Sequence, residues 1–174
     1  MALSKIQSES VNLADNFAFT GTITGAGGGK TLQMVRAAAA PRISGSISSM
    51  VYTDTGVTAS ITPSSSSSKI LILAQINLNV ASANYHFSLL KRSIGGSAYA
   101  TTTGTNQYGN TFEYKAGGEW LSLHTLIIDE PATTSAITYK IYYAVHGSTT
   151  WNFGYNGTGG NDNGNSLILL EIGA

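Results

Sequence analysis

The segment whose residue types and spacing come closest to chemistry is Gly25 to Val35, GAGGGKTLQMV, a glycine run that ends in Gly29-Lys30-Thr31 and leads into apolar residues. Such a run suggests a phosphate-binding loop, in which backbone N–H groups wrap the phosphates ahead of a helix; Asp129, after Leu126-Ile127-Ile128, would be its magnesium partner. The spacing denies it. In G-x-x-x-x-G-K-[ST] the first glycine falls on Thr24, and Gly25 comes one place too late. A nucleotide hydrolase of this kind also alternates strands with amphipathic helices, and helix-like material is almost absent here. The glycine run reads instead as a flexible joint.

Other candidates thin out in the same way. His86, His124 and His146 each sit in a strand pattern, without an acid or second histidine at metal or triad spacing, and no G-x-S-x-G nucleophile elbow occurs. Gly160-Asn161-Asp162-Asn163-Gly164-Asn165 carries oxygen ligands at calcium-like density, but the glutamate that closes a calcium loop is missing, so a glycine-asparagine turn is expected. Asn156-Gly157-Thr158 matches the glycosylation sequon but reads as a turn. The aromatic set Tyr108, Trp151 and Tyr155, with Asn156 and Asp162, combines flat apolar platforms with hydrogen-bonding groups, as glycan sites do. Trp151 and Phe153 share a strand face, which a core would use equally well. No catalytic residue, metal or cofactor is expected.

Composition narrows the class further. Charged residues make up 10% of the 174, nine basic against nine acidic, where an average globular domain carries about 25%. No basic surface is available for a nucleic-acid backbone, and none of the expected partners is a nucleic acid. The chain has no cysteine, which rules out thiol catalysis and zinc-thiolate sites. With no secretory-type apolar stretch and no run of about 18 apolar residues, the expectation is a soluble chain made in a cytoplasm and not inserted in a membrane. Glycine, serine and threonine fill the space that charge leaves, favouring extended chain and turns.

The elements that must position these residues are strands. Residues 1–40 read as an extended N-terminal arm, with Val11, Leu13, Phe17 and Phe19 as anchoring side chains and Leu32 to Ala40 as the best helix candidate, ending before Pro41. Residues 41–174 read as the head. Short strands are expected over 46–52 and 57–61, across a turn at Thr53-Asp54-Thr55-Gly56, and Ser64 to Ser68 forms an inert polar connection. In 69–80, Ile76, Leu78 and Val80 alternate with Gln75, Asn77 and Asn79. Tyr85, Phe87 and Leu89 read as the dry face against His86 and Ser88. Ile137, Tyr139, Ile141, Tyr143 and Val145 do so against Thr138 and Lys140, with Asp129 to Ser135 before them as a hairpin loop. Nine or ten strands without convincing helices predict an all-β antiparallel sandwich of the jelly-roll type.

The opening SKIQSESVNLADNFAFTGTITGAGG resembles the N-terminal stretch of tailed-bacteriophage structural proteins, especially marine ones. The body, from ILILAQINLNV through ITYKIYYAVHG to SLILLEIGA, is similar to compact trimeric jelly-roll heads of phage fibres and capsid decorations, related to tumour-necrosis-factor-like domains. The resemblance implies a homotrimeric virion surface protein assembled in the host cytoplasm, docked on other virion proteins by its arm and presenting its head, with a host surface glycan as a further partner. The chain lacks the long repetitive shaft of a full tail fibre. The rival expectation is a freestanding lectin-like module. Both faces of the strand 166–172 are largely apolar, so it must be central or covered by a partner. On that ground Tyr139, Ile141, Tyr143, Leu167 and Leu169 are the expected trimer interface.

Overall fold

In a computed structural model, residues 30–38, 43–102, 108–153 and 164–173 are described below. Eleven strands occur among them: β1 (Thr31–Arg36), β2 (Ile43–Ile47), β3 (Thr53–Ile61), β4 (Lys69–Val80), β5 (Asn84–Ile94), β6 (Ala100–Thr101), β7 (Thr111–Lys115), β8 (Glu119–Asp129), β9 (Ile137–Val145), β10 (Thr149–Phe153) and β11 (Ser166–Ile172). They form an antiparallel β-sandwich of the expected jelly-roll class. One sheet runs β1-β11-β4-β10-β2 with β8 on the far edge of β4; the other runs β3-β9-β5-β6, with β7 also on β5. No helix among the described residues is long and apolar enough to cross a membrane.

The long strand β4 organises the first sheet. It pairs along its length with β8, and on its other edge with β11 over Lys69–Gln75 and with β10 over Leu78–Val80. Its alternate residues Ile70, Ile72, Ile76, Leu78 and Val80 are fully buried and meet Ile137, Tyr139, Ile141, Tyr143 and Val145 of β9 across the sandwich. Period-two alternation of β-branched and aromatic residues is what a strand with one dry face requires.

Several local expectations are corrected. Leu32 does not begin a helix: Thr31–Arg36 is a strand paired antiparallel with β11, so this stretch of the presumed arm belongs to the sheet. The Lys30 carbonyl accepts the Gly173 N–H at 2.8 Å. Gly-Lys-Thr therefore enters a strand, where a phosphate loop would need a helix. Thr53-Asp54-Thr55-Gly56 does not separate two strands but lies inside β3. The Asp54 side chain accepts the Gly56 N–H at 2.8 Å, Gly56 has φ +75°, and the register with β9 shifts between Asp54 and Thr58. The turn chemistry is spent on a bulge. Asp129 to Ser135 is not a hairpin, since β8 and β9 belong to different sheets and the segment crosses between them.

Candidate functional site

The five residues expected at a subunit interface lie in this chain's own core. Tyr139, Tyr143, Leu167 and Leu169 are fully buried and Ile141 nearly so, in one cluster between the sheets. The strand β11 is central, between β1 and β4, which resolves its two apolar faces: Leu167, Leu169 and Glu171 point inward, and Ile168, Leu170 and Ile172 line the outer surface, half-buried. These inner side chains are not available to a neighbour. Trp151 is likewise a core residue, tilted against Tyr143 at 5.7 Å and edge-on to Phe153 at 6.0 Å. It therefore cannot form a surface platform with Tyr108. Tyr155, Asn156 and Asp162, and the anchor residues Val11, Leu13, Phe17 and Phe19, lie outside the described residues.

The polar groups that drew attention in the sequence serve the core. Asp129 is fully buried; its carboxylate pairs with Arg92 and accepts the Tyr139 hydroxyl at 2.7 Å. Burial, reinforced by that carboxylate, raises the Tyr139 pKa. His86 is inside as well, reversing the expected faces of β5. Its Nδ1 shares a 2.6 Å hydrogen bond with the Tyr143 hydroxyl, and burial lowers its pKa to about 4. Ser88 bonds Thr125 across the sandwich at 3.0 Å. Glu171 receives the Ser64 N–H at 2.7 Å, the Ser64 hydroxyl at 2.6 Å and Gln33 Nε2 at 2.6 Å, so Ser64 is not an inert loop residue. Asn165 accepts the Asn77 N–H at 2.6 Å, tying the end of the asparagine-rich loop to β4. Among the described residues, no three acidic, histidine or cysteine side chains are placed to share a metal ion.

Two surface features remain. The first is the outer face of the six-stranded sheet. Cross-strand register aligns Met34, Leu170, Leu71 and Ile128 in one row and Arg36, Ile168, Leu73 and Leu126 in the next. Met34 and Leu126 are 68% exposed and Ile128 57%, with Leu32 and Leu73 also open. An aliphatic stripe this continuous is unusual on a face left to water.

The second is a cavity of about 300 Å³ on the outer face of the other sheet, lined by Tyr85, Phe87, Tyr108, Phe112 and His146. Pairing of β5 with β7 sets Phe87 opposite Phe112 and Tyr85 opposite Tyr114, while Ala144 on the other flank of Phe87 adds little bulk. Phe87 forms the floor, with Tyr108 stacked on it at 5.8 Å and Phe112 tilted at 6.5 Å. Tyr114 meets Tyr85 edge-on at 5.1 Å, and the His146 N–H donates to the Tyr85 carbonyl at 2.9 Å. Gly109 makes the Tyr108 wall possible: its φ is +91°, and a Cβ there would come within 2.3 Å of the Ser88 carbonyl oxygen. Asn110 then locks the segment, accepting the Leu90 N–H at 2.6 Å and donating its own N–H to Ser88 at 2.8 Å. Of the two described residues expected in a glycan site, Tyr108 is in this pocket and Trp151 is not. Tyr85, Phe112 and His146 escaped sequence reasoning; the clue was the alternation of Phe112 and Tyr114 with charged neighbours.

No protein-family model and no curated protein matches the chain. Among solved structures it is similar to that of the infectious bursal disease virus Gt strain, at 10% identity over 98% of this chain and 47% of that one, with a TM-score of 0.46. It is similar also to the structure of the Gx strain of that virus (10% identity, 91% and 42% covered, TM-score 0.41) and to the crystal structure of its VP2 subviral particle (9%, 81% and 32%, TM-score 0.41). The chain spans less than half the length of each.

Proposed function

We propose that the chain is a structural surface protein of a tailed-phage virion, a homotrimer held on the particle by its N-terminal segment and displaying the sandwich as its head. The observation that carries this reading is the aliphatic stripe of Leu32, Met34, Leu73, Leu126 and Ile128 on the outer face of the six-stranded sheet. Exposed apolar surface drives association. Turned towards a threefold axis, the stripe on each copy is covered by the adjoining surface of the next, a heterologous contact that closes after three copies. This moves the proposed subunit interface from inner residues of β9 and β11 to the outer face of the six-stranded sheet. The opening phrase, similar to those of tailed-phage structural proteins, supports the virion setting, and the use of Asp129, His86 and Glu171 as core hydrogen-bonding groups suits a structural role.

Light scattering on the purified chain tests the assembly. The expected mass is three times the 18.1 kDa of one chain, and Leu126→Glu, at a side chain on the outer surface and largely open to solvent, yields a folded monomer with an unchanged far-ultraviolet spectrum. A wild-type monomer at micromolar concentration overturns the trimer. Absence of the chain from purified particles of its phage overturns the virion setting.

A further inference from the structure

We propose that the pocket of Tyr85, Phe87, Tyr108, Phe112 and His146 binds the ring of a neutral pyranose. Three features point to this ligand class. The cavity of about 300 Å³ sits at the lower bound of small-molecule sites, room for one ring rather than a run of peptide. Its walls are aromatic faces, which take the C–H side of a sugar ring, and its margin carries the hydroxyl of half-exposed Tyr85 and the imidazole of exposed His146, which can exchange hydrogen bonds with a polyol. None of the described lining residues is a carboxylate, lysine or arginine, so among them neither a cation nor an acidic sugar would find a counter-charge.

The walls are also set before any ligand arrives. Tyr114 holds the Tyr85 ring edge-on, the His146 N–H ties the end of β9 to Tyr85, and Gly109 with Asn110 fixes Tyr108 over Phe87. Rings that need no ordering on binding lose little entropy to it. The site lies on the sheet opposite the aliphatic stripe, so it remains open in the assembly and does not depend on it.

Saturation-transfer NMR on the full chain, with the methyl pyranosides of galactose, glucose and mannose as probes, tests the proposal. At least one should receive saturation at its ring C–H protons, with a dissociation constant on the order of millimolar, as expected for so small a ligand. Phe112→Ala, at a side chain 60% exposed, should weaken it by about tenfold or more without changing the melting temperature. Tyr85→Phe, which keeps the ring and loses the hydroxyl, should weaken it less. No transfer to any of the three sugars, or transfer that Phe112→Ala leaves intact, overturns the proposal. So does a proline-rich peptide that binds where the sugars do not and is lost in Phe112→Ala, which would make this a peptide site. A monomeric chain that still binds sugar would remove the trimer and leave the pocket standing.

Discussion

At the scale of single residues the interior is held by ionisable groups whose charge state the fold dictates. Asp129 is tolerated at full burial because Arg92 and the Tyr139 hydroxyl both meet its carboxylate, and a buried charge without partners would be costly. Glu171 and His86 carry a pH dependence. Burial works against a charged Glu171, but the hydroxyl and N–H of Ser64 and the amide of Gln33 outweigh it, bringing the pKa down from 4.5 to about 2. A carboxylate with a depressed folded pKa gives stability that is complete above its ordinary value and is lost as pH falls through the folded one. For His86, burial lowers the pKa from 6.5 to about 4. Below pH 6.5 the unfolded chain takes up a proton that the folded chain refuses, so stability falls towards pH 4 and levels off there. The denaturation midpoint should therefore decline in two limbs, 6.5 to 4 from His86 and 4.5 to 2 from Glu171. His86→Gln should flatten the upper limb and Glu171→Gln the lower. A midpoint constant from pH 7 to 4 in the wild type would contradict the assignment of His86.

At the scale of elements, Leu169 makes the sharpest test. Its side chain is fully buried among β4, β9 and β3 residues rather than at a subunit contact, so Leu169→Ala should destabilise each chain by about 2 to 5 kcal/mol, as core truncations do, and leave the mass in light scattering unchanged. Loss of assembly ahead of unfolding would return the interface to the inner face. How far the elements were legible follows from what period-two alternation can report. It located β4 and β9 and their dry faces, because every second residue is large and apolar throughout β9 and, apart from Ala74, in β4. It was misled at β5, where residues 86–90 are all buried: Phe87 and Leu89 lie under the outer surface and His86 and Ser88 under the inner one, with His86 Nδ1 bonded to the Tyr143 hydroxyl and the Ser88 hydroxyl to Thr125. It was misled at β1 too, since the strand state of Thr31–Arg36 is imposed by pairing with β11, a partner more than 130 residues away. The pocket was the least legible part. It needs Gly109 in a left-handed conformation and two strands in one register, neither of which shows as a motif.

For the whole molecule, the first and last described strands lie side by side. Lys30 and Gly173 are hydrogen-bonded at the edge of the same sheet that carries the aliphatic stripe. A segment before Lys30 would therefore leave from the margin of the proposed assembly face, so that in the proposed trimer one end would be placed to hold the particle while the aromatic pockets point away from the axis. The forces across that face are set by composition. The chain has a formal net charge of +0 at pH 7, so copies approach without net repulsion. The stripe itself carries Arg36 at one end and aliphatic carbon over the rest. Ion pairs between exposed groups are screened within about 3 Å at 1 M salt, whereas apolar burial is strengthened by excluded salts such as sulfate. The trimer should then persist unchanged from 0.05 to 1 M sodium chloride, over which the screening length falls roughly fourfold, and its dissociation midpoint on dilution should move to lower protein concentration in 0.5 M ammonium sulfate. Leu126→Glu should behave oppositely: monomeric at low salt, with partial recovery of association only as sulfate rises. Sedimentation velocity over a dilution series resolves these cases. A wild-type trimer that falls apart in 1 M sodium chloride would be held by charge, and the aliphatic stripe would not be its interface.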